Sequence, residues 1–156
     1  DWSSDVCSSD LVETDTGNYV TDVLYTQKPM EYTEPKTAEM LTRNQTQDAL
    51  FESNNGGRGF ARNVEKQTRV LKNNKTSFKW FHQGENKAVR IFSHSADVQN
   101  LTYFPKGWDR MWPEFYRDLT NYMKVGNNKH DDAPDTLTGM VEHRENGAVQ
   151  DLTGLF

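Results

Sequence analysis

Toward the end of the 156-residue chain, the stretch KHDDAPDT sets Asp131, Asp132 and Asp135 close together beside His130. Acids at the head of a helix are first of all N-caps and complements to the helix dipole. Capping needs only one or two, and Asp131 and Asp135, four apart, share a helix face where like charges repel. A bound cation relieves that repulsion. Hard divalent ions such as Mg²⁺ or Mn²⁺ take oxygen ligands, usually one or two carboxylates per ion plus water. A pair of such ions ~3.5–4 Å apart clamps the attacking and leaving oxygens of a phosphodiester. A further acid, Glu52, ends the apolar run DALFE just before a glycine-rich turn. Ligands collect at strand ends in α/β sheets, although a solvated carboxylate leaving a strand is the plainer reading. A shared metal site requires Glu52 and the Asp131–Asp132 pair to converge in space.

The turn itself, NNGGRGFAR, carries Gly56, Gly57 and Gly59, which let the backbone approach a neighbour closely. Arg58 and Arg62 stand at the head of the following helix, with Lys66 and Arg69 further along. Amides at a helix start and arginines favour phosphate; a tight turn with a solvated basic face explains the same residues without a ligand. No G-K-[ST] follows, so this is not a Walker P-loop, and the spacing is not that of the dinucleotide fingerprint. His82 and His94 have no partner at metal-ligand spacing along the chain and read as structural. Trp80, Trp108, Trp112, Phe115 and Tyr116 read as core aromatics rather than a base-stacking platform.

The elements that must hold these residues are a mixture of strands and helices. LVETDTGNYVTDVLYT reads as a β-hairpin, with Leu11 to Thr14 one strand, Asp15 to Asn18 the turn and Tyr19 to Thr26 the other. A helix starts at Thr33 or Glu34, with Pro35 in its first turn, and runs to about Thr46. DALFES is a strand, FARNVEKQTRVL a helix, and FKWFHQ another strand. NKAVRIFSHSADVQNL is one amphipathic helix by its spacing. WPEFYRDLTNYMKVG is a helix begun by Pro113 and stopped by Gly126. A final helix follows KHDDAPD, and residues 146–156 form a tail without strong period. The expected class is α/β, a mixed central sheet flanked by helices.

Residues 1–11, DWSSDVCSSDL, match nothing else in the chain. They show no sustained period and resemble a translated sequencing-library adapter. They are expected to lie outside the fold. Without Asp1, Asp5 and Asp10, acidic residues fall from 23 to 20 against 18 basic ones, and the net charge moves from -5 to -2. Cys7 is the single cysteine, so neither a disulfide framework nor a cysteine zinc site is expected. No apolar run approaches the ~18–20 residues that cross a bilayer, and the acidic start has no secretory h-region. The N-x-S/T matches at Asn44, Asn74 and Asn100 are then chance.

Four stretches, DVLYTQKPMEYTEP, FESNNGGRGFAR, FPKGWDRMWPEFYRDLTNY and KHDDAPDTLTGMVE, together resemble the C-terminal nuclease domain of tailed-phage terminase large subunits. The resemblance spans most of residues 12–145. It implies an RNase H-like sheet and a DNA endonuclease that cuts concatemeric viral DNA with two divalent ions, Mg²⁺ or Mn²⁺. It places catalytic and metal-binding roles on Glu52, Asp131 and Asp132, with His130 and Asp135 beside them. A third acid belongs on a first strand before the hairpin, where residues 1–11 now stand. That strand is expected to be missing, and the chain to be nearly inactive alone. DNA contacts fall to Arg58, Arg62, Lys66 and Arg69. The implied partners are double-stranded DNA, a portal protein and a small terminase subunit, with no membrane. The implied place is the cytoplasm of an infected bacterium rather than the virion. Two other readings stay open: another RNase H-like nuclease of resolvase or transposase type, and a non-catalytic nucleic-acid-binding or assembly module.

Overall fold

The computed structural model describes residues 6–54, 56–122, 126 and 128–153, with the side chains of residues 6 and 148–153 not described. It is mixed α/β, with five strands and seven helices among these residues. The strand β1 (Val6–Thr14) pairs antiparallel with β2 (Gly17–Thr26), from Val6 opposite Thr26 to Thr14 opposite Gly17, with a register shift between Asp10 and Leu11. Residues 6–11, expected outside the fold, are therefore the first half of a strand. An antiparallel ladder is made by backbone groups, so it forms along Cys7-Ser8-Ser9-Asp10 although the side chains lack an apolar alternation. Residues 1–5 lie outside the described residues.

Gly17 has φ +156°, and a Cβ on it would lie 2.5 Å from the Leu101 carbonyl oxygen. That close approach lets β5 (Thr102–Tyr103) run parallel to β2, opposite Asn18 and Tyr19, and the Tyr19 and Tyr103 rings stack at 4.8 Å. The order of this sheet is β1-β2-β5.

A separate sheet holds β3 (Asp48–Glu52) parallel to β4 (Ser77–Phe81), joined through α2 (Gly57–Val70). The single central sheet expected from the strand pattern is thus two sheets. Each has its own core. Val20, Val23, Phe115, Ala133 and Leu137 form the first, with Trp108, Trp112 and Tyr25 packed against it. Ala38, Leu41, Ala49 and Val64 form the second, with Phe51, Phe60 and Phe78 around it. The helix α1 (Met30–Arg43) supplies two residues of that second core; it starts after Pro29, one turn earlier than expected, with Pro35 inside it. Trp108, Trp112 and Phe115 are core aromatics as read, but Trp80 is 48% and Tyr116 38% exposed.

The amphipathic stretch after β4 is two helices, α3 (Lys87–Ser93) and α4 (Ser95–Leu101), broken at His94. Next come α5 (Trp108–Met111) and α6 (Pro113–Thr120), which ends well before Gly126. The last helix, α7 (Asp132–Thr153), continues through most of the expected tail. It packs against β1, α3, α4 and α6. No described helix is long and apolar enough to cross a membrane.

Candidate functional site: an acidic cluster closed by a lysine

The head of α7 carries Asp132 and Asp135 in its first turn, with Asp131 just before it; the Asp135 amide bonds to the Asp131 carbonyl at 3.0 Å. The three carboxylates turn toward one cation supplied by the start of α3. The Lys87 ammonium lies 2.9 Å from Asp131 Oδ1, 2.7 Å from Asp132 Oδ1 and 3.5 Å from Asp135 Oδ2. Asn86 caps α3 by accepting from the Val89 amide at 3.2 Å, which fixes where Lys87 leaves the helix. Burial works against the Lys87 charge, but the hydrogen bonds to Asp132 and Asp131 outweigh it and hold the ammonium well above its usual range. Arg90, one turn on and buried, donates to Asp135 and faces Glu142 at 3.7 Å. Lys87 and Arg90 thus offset part of the cluster's negative charge, three carboxylates against two cations.

On its sheet side the cluster meets β1. Cys7 packs into the first core, and its thiol is pushed up to about 12 by burial first, and then by the charges of Asp132 and Asp135, against the lowering effect of the Thr136 hydroxyl. Asp10, also on β1, lies elsewhere, near Asn44, Thr46 and Asp22, and burial raises its carboxyl.

Glu52 ends β3 in the second sheet, exposed, with its residue opposite Phe81. Its carboxylate, that of Asp131 and that of Asp132 do not gather within 4.8 Å of one another; among the described residues His94, Asp97 and Glu145 meet that spacing. Glu52 and the Asp131–Asp132 pair stand on elements that serve different cores. Glu52 follows the strand packed on α2, whereas α7 packs on β1, α3, α4 and α6. His94, read as structural from its spacing along the chain, stands in this trio. Its signal in the sequence was only the His94–Asp97 pair; Glu145 arrives from α7.

No protein-family model matches the chain, and no curated protein does either.

Of the three glycines in the turn, Gly56 takes a left-handed φ of +90° and Gly57 makes the close approach: a Cβ there would sit 1.8 Å from the Glu52 carbonyl oxygen. The neighbour is the chain's own backbone, while Gly59 faces open space. Arg58, Arg62 and Lys66 are exposed along α2. Arg69 is committed internally, donating to the Asn73 and Thr76 carbonyls at 2.8 and 3.0 Å and pairing with Glu65. It ties the end of α2 to the next loop, and this leaves Arg58, Arg62 and Lys66 to meet an anion. His130 lines a cleft of about 530 Å³ with Tyr25, Arg117 and Asp118. There Tyr25 Oη donates to Asp118 at 2.9 Å. Burial opposes the Asp118 charge, but hydrogen bonds from Arg117 and Tyr25 hold its carboxyl below the usual range.

Proposed function

We propose that this chain is a metal-dependent DNA endonuclease domain of the terminase large-subunit kind, hydrolysing phosphodiester bonds of double-stranded viral DNA. The resemblance of the four sequence stretches motivates the reading. The observation that carries it is the cluster of Asp131, Asp132 and Asp135, whose carboxylates turn toward a single cation at the head of α7.

The donor set fits one hard divalent ion, held by Asp131 and Asp132 with water completing its shell. A bound ion would supply positive charge opposite a phosphate oxygen. The side chains of this chain have the remaining tasks. Lys87 holds the cluster in the absence of a metal, and Asp135, engaged by Arg90, anchors the cluster to α3. The exposed Arg58, Arg62 and Lys66 hold a DNA backbone without reading sequence. A portal protein, a small terminase subunit and the cytoplasm of an infected bacterium belong to the same proposal.

The test is relaxation of supercoiled plasmid by excess protein in Mn²⁺. Slow nicking that stops with a chelator, and in both Asp132→Ala and Glu52→Ala, is expected. Nicking that persists in both variants, or DNA binding with no Mn²⁺ uptake by calorimetry, would favour a non-catalytic binding module.

A further inference from the structure

Three helices meet around His94. It ends α3 and begins α4, Asp97 stands one turn further along α4, and Glu145 projects from α7. One ligand atom from each of His94, Asp97 and Glu145 lies within 4.8 Å of the other two. His94 Nδ1 is 3.8 Å from Glu145 Oε1, too far for a hydrogen bond. This nitrogen is itself buried and has no hydrogen-bond partner. A buried polar atom left unpaired is costly, and two carboxylates aimed at one place repel. A cation between them removes both penalties. The other ring nitrogen, Nε2, lies 3.5 Å from Glu142 Oε1. A carboxylate behind the imidazole is the arrangement that orients a metal-bound histidine.

We propose that His94 Nδ1, Asp97 and Glu145 form a binding site for a divalent transition-metal ion of the Zn²⁺ class, with Glu142 orienting the imidazole. One imidazole and two carboxylates suit Zn²⁺ better than Mg²⁺ or Ca²⁺, which take oxygen alone. Zn–N and Zn–O bonds of ~2.0–2.2 Å place neighbouring ligands ~3.3–3.5 Å apart, so the His94–Glu145 gap closes by a few tenths of an ångström. Two carboxylates and a neutral imidazole balance the charge of the ion. The fourth tetrahedral position is left for water or an incoming ligand. Bound there, the ion would pin α4 to α7. The site is distinct from the Lys87 cluster, and its existence does not depend on the nuclease reading.

Calorimetric titration of the full 156-residue chain with Zn²⁺ tests this. With a hundredfold excess of Mg²⁺ present to occupy the Asp131–Asp132 cluster, one equivalent should bind and raise the melting temperature, and Co²⁺ in its place should give visible d–d absorption. His94→Gln and Asp97→Asn should each weaken binding at least tenfold and abolish the Co²⁺ bands, while Asp48→Asn on β3, an exposed carboxylate paired with Lys79, leaves both unchanged. Glu142→Gln should weaken binding about tenfold through the imidazole. If circular dichroism shows that His94→Gln does not fold, Glu145→Gln, at a half-exposed position, replaces it. Equal Zn²⁺ binding by the wild type and the trio variants, or binding lost in Asp132→Asn and kept in His94→Gln, would overturn the proposal.

Discussion

Lys87 and Asp132, forty-five positions apart in sequence, are joined by a 2.7 Å hydrogen bond between ammonium and carboxylate. The same ammonium reaches Asp131 and Asp135, so a lysine occupies the place where the acidic cluster would take a cation from solution. Lysine and metal are competitors for the same oxygens. Lys87→Met should therefore tighten Mn²⁺ binding at least tenfold, while Lys87→Arg should not. Without metal, Lys87→Met should lose roughly 0.5–1 kcal/mol of stability, the scale of a partly exposed ion pair. Calorimetry and thermal melts with and without Mn²⁺ read both effects.

Cys7 on β1 lies close enough to the cluster to feel the charges of Asp132 and Asp135, and it brings no carboxylate. The resemblance implies an acid on a strand at that side. Cys7→Asp should lower the melting temperature in chelator, because it buries a charge beside two others. It should recover more than the wild type on adding Mn²⁺ and should nick plasmid faster. Cys7→Asn should show the loss and no recovery. Equal responses by the two variants would argue against a metal at this place.

Gly57 and Gly59, two apart on α2, should respond in opposite directions. At Gly57 a Cβ would strike the Glu52 carbonyl, a backbone atom that cannot step aside without opening the β3–α2 turn. Gly57→Ala should cost about 2 kcal/mol or more, on the scale of an overpacked core. Gly59 has open space within a helix, and Gly59→Ala should stabilise by about 0.5–1 kcal/mol. Urea denaturation measures both.

Two pairs of carboxyls should give opposite pH signatures. Asp22, hydrogen-bonded to Arg43 and Asn44, and Asp118, bonded to Arg117 and Tyr25, are held below their unfolded values despite burial. Their contribution is complete above about pH 3.9 and is lost as the pH falls through their folded values. Asp10 and Glu142 are raised by burial, and nearby groups offset only part of it. For these, the contribution is present below ~3.9–4.3 and lost as the pH rises through the folded values. Asp10→Asn should accordingly raise the melting temperature at pH 7 and leave it unchanged at pH 3. Tyr25→Phe, which removes the partly buried hydrogen bond to Asp118, should cost about 1 kcal/mol at pH 7.

The mixed α/β class, the β1–β2 hairpin, the strand–glycine–helix unit of β3 and α2, and a helix begun at the Asp131–Asp135 cluster were legible from the sequence. All depend on local signals: turn residues, period, a proline or an acid at a helix start. The role of Gly57 was legible as a type of role, close backbone approach, but not its object. Tertiary structure decided what local signals do not carry. Strand pairing is non-local, so the split into two sheets had no mark in the sequence. Backbone pairing also drew residues 6–11 into β1, because a ladder needs amides rather than a hydrophobic pattern. Long side chains reach across elements: Lys87 came to Asp131, Asp132 and Asp135 from another helix, and Arg69 turned inward to carbonyls. The trio of His94, Asp97 and Glu145 exists only because α4 packs on α7, which brings together charges that have no relation along the chain.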